Sequence, residues 1–209
     1  MLITFAGDVN TILAQIVLSQ GVYIHINQWC SFMQSIPGGS MSLQIAERLK
    51  SVKSILTCFC LPRTTSLMRA NATVPHDITS YQLKIGSRLY PSSALVGDST
   101  ALHNSEFLIE VLKAVGEYGN INHNSIFSCE TFEVSNNLYN ETGIACYGLD
   151  LDSFGPSNQQ CESGINTVLN NPLIVMATTA NATPVDSYNF LLYDAILSIL
   201  PSGVFTISK

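Results

Sequence analysis

Tyr81-Gln82-Leu83-Lys84-Ile85-Gly86-Ser87-Arg88-Leu89-Tyr90-Pro91, followed by Asn104 to Tyr118, is the stretch in which a strand pattern hands over to a helix pattern. Tyr81, Leu83 and Ile85 alternate with polar or small residues, which is the period of a strand with one face buried. Gly86-Ser87 weakens that strand, and Pro91 ends the segment Arg88-Leu89-Tyr90 because proline cannot donate to a central ladder. From Asn104 the period changes. Phe107, Leu108, Val111, Leu112 and Val115 fall on one helical face with Leu112 at its centre, and Glu106, Glu110, Lys113 and Glu117 fall on the other. Asn104 suits an N-cap, the glutamates suit the positive helix start, and Gly116 or Gly119 can stop the helix. An amphipathic helix of roughly three to four turns lies against a sheet.

Upstream, Ile12, Ala14, Ile16 and Leu18 alternate before Ser19-Gln20-Gly21, and Val22, Ile24 and Ile26 alternate after it, which predicts two strands joined by a hairpin or sharp bend. Pro37-Gly38-Gly39 reads as a loop, and Leu43, Ile45, Ala46 and Leu49 suggest a short helix over Met41 to Leu49. Ser51 to Leu61, rich in β-formers and stopped by Pro62, reads as a central strand. Thr64 to Thr79 has no sustained period and reads as a long loop, as do Gly119 to Asn124 and Ser135 to Gly143. Downstream, Ile144 to Leu151 and Pro172 to Thr179 read as strands, with a turn over Ser153 to Asn158. Phe190 to Leu200 and Val204 to Ile207 form a terminal hairpin about Pro201-Ser202-Gly203. About eight strands at this spacing with one inserted helix predict an all-β sandwich or barrel of the jelly-roll kind.

The chain's 209 residues, 46% apolar, suffice for one domain with a sizeable core, and one domain over 1–209 is expected. Only 11% are charged, which fits a β protein whose neutral surfaces are covered by neighbours. The net charge of −6 and the lack of any Lys/Arg run argue against a nucleic-acid surface. Met1 to Asp8 lacks the basic start and long apolar run of a signal peptide, and no apolar run reaches membrane-spanning length. Cys30, Cys58, Cys60, Cys129, Cys146 and Cys161 show no Cys-x-x-Cys spacing and read as reduced, mostly core thiols, with no disulfide required. The Asn-x-Thr sequences at Asn71, Asn140 and Asn181 are chance matches unless the chain is secreted.

No catalytic constellation stands out. A hydrolytic centre needs a nucleophile, a base and an orienting group, and the four histidines offer no such grouping. His25 sits between Ile24 and Ile26 on a strand, while His76, His103 and His123 fall in loops or at a helix start. Asp150 and Asp152, with Asp98, Glu141 and Glu162 elsewhere, offer oxygen ligands for a hard cation, but carboxylates at i and i+2 on a strand more often form its solvent face. Gly38-Gly39 lacks the lysine and the strand-to-helix context of a phosphate loop. Trp29 ends a strand and suits core or interface packing better than a carbohydrate platform. No catalytic, cofactor or metal residue is therefore assigned.

Several blocks in order resemble the major capsid protein of the double jelly-roll virus lineage, the adenovirus-like lineage, and within it the polinton, adintovirus and virophage branch. They are Gly21 to Ile26, Glu47 to Ile55, Tyr81 to Pro91 with the helix after it, Gly148 to Phe154, Ser163 to Thr167, and Tyr193 to Leu197 with Gly203-Val204. The resemblance implies a structural protein of the virion, assembled inside the host cell into trimeric capsomers of an icosahedral shell around double-stranded DNA. Its partners would be copies of itself, neighbouring capsomers and minor capsid proteins. The family has two rolls per chain and these blocks resemble the C-terminal one. The chain is then a fragment, a processed half, or a relative with one roll whose missing positions another chain fills. The rival readings are a secreted or cell-surface β-sandwich binding module, favoured by the Asn-x-Thr sequences alone, and a cupin-like jelly-roll enzyme, which would require clustered His and Glu ligands.

Overall fold

A computed structural model describes residues 7–37, 39–60, 78–97, 105–116, 118, 146–152, 164–168, 172–179 and 184–208. Its elements are α1 (Gly7–Gln20), β1 (Val22–Ile36), β2 (Ser40–Ile45), β3 (Val52–Cys60), β4 (Ile78–Ile85), β5 (Arg88–Val96), α2 (Ser105–Ala114), β6 (Tyr147–Asp150), β7 (Leu173–Thr179), β8 (Val185–Ile199) and β9 (Phe205–Ser208). One sheet has the order β1-β8-β3-β6, with β9 also on β8, and the other has the order β2-β7-β4-β5. Neighbours in both sheets run antiparallel. Consecutive strands thus alternate between sheets at β1/β2, β2/β3, β3/β4 and again at β6/β7/β8, the double Greek key of a jelly roll. The expected fold class holds, with nine strands among the described residues.

The sheets bury their facing side chains against each other. In β2 only Met41, Leu43 and Ile45 are buried, and in β7 only Leu173, Val175, Ala177 and Thr179, a strict alternation that leaves the other face outward. Opposite them lie Ile55, Phe59, Leu191 and Tyr193 from the first sheet. Tyr147 joins three elements: its ring sits 5.7 Å from Phe59 of β3, 6.0 Å from Tyr81 of β4 and 5.3 Å edge-on from Phe107 of α2. A chain of buried hydrogen bonds also crosses the sandwich. The Thr57 hydroxyl lies 2.9 Å from the Tyr81 hydroxyl and donates to Asn189 Oδ1 at 2.9 Å, and Asn189 Nδ2 donates to Ser187 Oγ at 3.1 Å. Burial of the Tyr81 phenol, the larger influence, raises its pKa far above the ordinary value, so it stays a neutral member of this chain.

Several expectations of local structure are corrected. Thr11 to Ser19 is helix, not strand: Val9, Ile12, Leu13, Ile16 and Val17 carry the helical period alongside the alternation of Ile12, Ala14, Ile16 and Leu18. Gly21 is that helix's C-cap rather than a hairpin turn, with φ of 76° and its N–H donating to Val17 O at 3.1 Å. Met41 to Ile45 is strand because its two-residue alternation matches a sheet position beside β7, which outweighs the helical spacing that Ala46 and Leu49 add. Pro91 does not end its strand. It lies within β5, an edge strand, where the register jumps from Tyr81↔Leu95 to Leu83↔Tyr90, and Gln82 Nε2 donates to Pro91 O at 2.8 Å.

Helix α2 buries Phe107, Leu108, Val111 and Ala114 against β6, and its stripe centres on the fully buried Val111, with Leu112 only partly buried at the margin. The Gly116 N–H donates to Lys113 O at 3.0 Å and ends the helix. A Cβ on Gly148 of β6 would lie 2.7 Å from Leu56 Cδ2 and 3.2 Å from Ala114 Cβ, so the absence of a side chain there allows the helix to approach. β3 is an inner strand as expected, β6 and β7 fall where strands were predicted, and β8 and β9 form the terminal hairpin. Of the four described cysteines only Cys146 is fully buried, and Cys30, Cys58 and Cys60 are partly exposed, so the thiols are less interior than expected. The loop expected over Thr64 to Thr79 is corrected at its end, where Ile78 and Thr79 open β4, and its remainder, with Cys129, Cys161 and the loops expected at Gly119 to Asn124, Ser135 to Gly143 and Ser153 to Asn158, lies outside the described residues.

Candidate functional site

Three of the sequence blocks singled out above meet at one polar node. Ser51, ahead of β3, donates from its hydroxyl to Asp194 Oδ2 on β8 at 2.7 Å, and Lys53 Nζ lies 3.0 Å from Asp194 Oδ1. The segment 164–168 runs alongside: Gly164 N–H donates to Ser51 Oγ at 2.9 Å, and Val52 and Ile165 exchange backbone bonds of 2.9 and 2.8 Å. Thr167 completes the seam, its N–H donating to Leu49 O at 2.8 Å and its Oγ1 accepting from Leu49 N–H at 3.0 Å. Sequence reading missed this node because its partners are far apart in the chain and belong to no motif. Ser51 is 1% exposed and its hydroxyl is committed to Asp194, so the node is a brace between the two central strands and the 164–168 segment, not a nucleophilic site.

Among the described residues weighed for chemistry, His25 on β1 lies apart from Asp150 and Asp152 at β6. His25 is exposed on β1 opposite Ile196. Asp150 Oδ1 accepts the Asp152 N–H at 2.9 Å, a local turn bond, and burial is the main cause that raises the Asp150 carboxyl above its usual range, opposed by that bond. Among the described residues no three of His, Cys, Asp and Glu lie close enough to hold a metal ion. His76, His103, His123, Asp98, Glu141, Glu162, Asn71, Asn140 and Asn181 lie outside the described residues. A groove of about 310 Å³ crosses the outer face of the second sheet between Ser40, Ser42, Ser80, Gln82, Met176 and Thr178, with no charged group or aromatic ring in its lining.

Exposed apolar surface is the more pronounced feature. Trp29 lies in the middle of β1 rather than at a strand end, 50% exposed, with Met33 four residues on at 49%, both on the outward face of the first sheet. At one end of that sheet β3 stops and β9 takes its place beside β8, since β3 pairs with Asp186 to Tyr193 and β9 with Ile196 to Ile199. On this projecting end Tyr23, Ile24, Phe205 and Ile207 are exposed, and α1, which leads into it, exposes Val9, Ile12, Ile16 and Leu18. Among the described residues no helix is long and apolar enough to cross a membrane.

No protein family model matches the sequence, and no curated protein matches it. Solved structures do match in fold. PBCV-1 VP54 fitted into a cryo-EM reconstruction of the virophage Sputnik aligns at a TM-score of 0.57 and 10% identity, covering 98% of this chain and 55% of that one. A quasi-atomic model of the PBCV-1 virus capsid aligns at 0.51 and 9% identity over 90% of this chain and 52% of the other. The Faustovirus major capsid protein aligns at 0.50 and 7% identity over 91% and 36%. The chain thus spans about half the length, or less, of the structures it matches. Its fold is the jelly roll found in viral capsid proteins.

Proposed function

We propose that this chain is a structural subunit of a viral capsid, a single jelly roll over 1–209 that assembles with further rolls into trimeric capsomers of an icosahedral shell. The matched structures are about twice as long as this chain, which leaves room in this reading for a second roll, on the same polypeptide or on another chain, to complete the capsomer. The observation that carries the reading is the projecting apolar end. Ile24, Phe205 and Ile207, which the registers against Leu197 and Ile199 set on one face of the sheet, are each 42% exposed or more, and Tyr23 on the opposite face is 65% exposed, on a roll of capsid type. Contiguous exposed apolar surface marks interaction sites, and a shell subunit works through packed contacts rather than a pocket. The partners in this reading are copies of the chain and neighbouring capsid proteins. The brace of Ser51, Lys53 and Asp194 serves to hold the roll rigid.

Light scattering at micromolar concentration, with electron imaging of the same sample, tests the proposal. Trimers and larger assemblies are expected. A chain with both Phe205→Ser and Ile207→Ser should assemble less while melting within a few degrees of the parent. A species that stays monomeric across salt and pH, alone and with a second roll supplied, would refute the capsid reading.

A further inference from the structure

The register of β3 against β6 pairs Thr57 with Tyr147, and its next antiparallel step sets Cys58 opposite Cys146. The two sulfurs are 3.4 Å apart although the residues are 88 positions apart in sequence. Directly opposed residues of antiparallel strands have Cα atoms about 4.5–5.5 Å apart, inside the range a disulfide spans. At that spacing the sulfurs have to close from contact to a bond of about 2.05 Å. The two sites differ in access, Cys146 being buried and Cys58 partly exposed. Among the described residues the pair belongs to no metal-binding group.

We infer that Cys58 and Cys146 form a latent cross-strand oxidation site, closed to a disulfide by a peroxide-class oxidant and reopened by thiol reductants. The Cys58 thiolate attacks one peroxide oxygen and expels hydroxide, which leaves as water after taking a proton, and Cys58 becomes a sulfenic acid. The Cys146 sulfur then displaces that hydroxyl as a second water. Two thiols and one peroxide thus give one disulfide and two waters. The division of roles follows from the surroundings. The hydrogen bond shared with Cys146 lowers the Cys58 thiol against the opposing effect of burial, and that bond together with burial raises Cys146 well above its usual value. Cys60, two residues along β3, is the competitor, but burial pushes its thiol up to about 11, which makes it the poorer nucleophile.

The bond would fasten an edge. Among the described residues β6 has only β3 beside it and meets it over four residue pairs, while α2 packs on β6. A cross-link closing a loop of this length constrains the unfolded chain strongly and should raise Tm by on the order of 10 °C.

The test treats the purified chain with hydrogen peroxide, maps peptides by mass spectrometry without reduction, and compares melts before and after. Expected is a single Cys58–Cys146 cross-link in the parent and in Cys60→Ser, a higher Tm for both, and return to the starting Tm with dithiothreitol. Cys58→Ser and Cys146→Ser should show neither cross-link nor shift. The mapping in the parent decides the matter even where a variant fails to fold. A dominant Cys58–Cys60 bond, over-oxidised Cys58 without a cross-link, or a cross-link that leaves Tm unmoved would overturn the inference. None of these outcomes depends on whether the chain assembles.

Discussion

Replacing Phe107 by alanine tests whether α2 is part of the core or an appendage. Phe107 is 1% exposed and meets the Tyr147 ring edge-on at 5.3 Å. Burial and the residual cavity set the cost of a core Phe→Ala change at about 3–5 kcal/mol. Of that, roughly 0.5–1.5 kcal/mol belongs to the aromatic pair itself. With a urea m-value near 2 kcal/mol/M the unfolding midpoint should fall by roughly 1.5–2.5 M. Tyr147→Leu, and both changes together, complete a double-mutant cycle in which the coupling should equal the pair contribution of roughly 0.5–1.5 kcal/mol. The melts should be run on unassembled protein, so that subunit contacts do not enter. A Phe107→Ala loss below about 1 kcal/mol, or a coupling of zero, would show that α2 does not dock through Tyr147 and that the centre of the core is misplaced.

Along the same helix, Val111→Ala should cost about 1–3 kcal/mol and Glu110→Ala, whose partly buried carboxylate pairs with Lys113 one turn on, less than about 1 kcal/mol, read from the same urea melts. Gly148→Ala should destabilise by roughly 1–3 kcal/mol, because the new methyl would crowd Leu56 and Ala114, and a melt as stable as the parent's would refute the close approach of α2. Asp194→Ala strands Ser51 and Lys53 in a partly buried site and should cost roughly 2–4 kcal/mol, with hydrogen exchange at Gly164 and Ile165 accelerating more than at β7. Asp150 has a carboxyl raised by burial, so the native state holds its proton more tightly than the unfolded chain, whose value is near 3.8. Its contribution to stability is therefore complete below that pH and is lost as pH rises through the raised folded value. Asp150→Asn should remove that slope, and parallel pH profiles of the two proteins would refute the assignment.

Most strands were legible because one face of each is buried: Leu83 and Ile85, Leu173 and Val175, and the Pro201-Ser202-Gly203 turn all declare their state locally. The errors came where two periods coexist. The α1 segment carries apolar residues at both helical and alternating positions, and without a partner face to choose between them the C-cap at Gly21 was indistinguishable from a hairpin turn. At Met41 to Leu49 the choice depended on β7, which lies more than a hundred residues downstream. The interior polar chain from Tyr81 through Thr57 to Asn189, and the brace from Ser51 to Asp194, could not be read from the sequence. Their members are 24, 132 and 143 positions apart and acquire meaning only when the sheets close. The candidate surface was similarly hidden, since Phe205 and Ile207 read as one more strand and only the strand order reveals that they lack a covering sheet.

β1 and β8 pair without interruption from Val22↔Ile199 to Ile36↔Val185, a ribbon fifteen residues long and so about 50 Å from end to end. Mechanically it is a beam. A one-residue slip would turn Leu191, Tyr193 and Ala195 out of the core, so the two strands cannot shear past one another without unfolding the sandwich. At the far end Ser35 donates to the Asp186 carboxylate, and at the near end a side chain on Gly21 would crowd the Ile199 carbonyl, so the chain leaves the ribbon there in close contact with it. Phe205, paired with Ile199 through β9, thus hands any load to the end of this ribbon, whose inner strand β8 also carries the Asp194 brace.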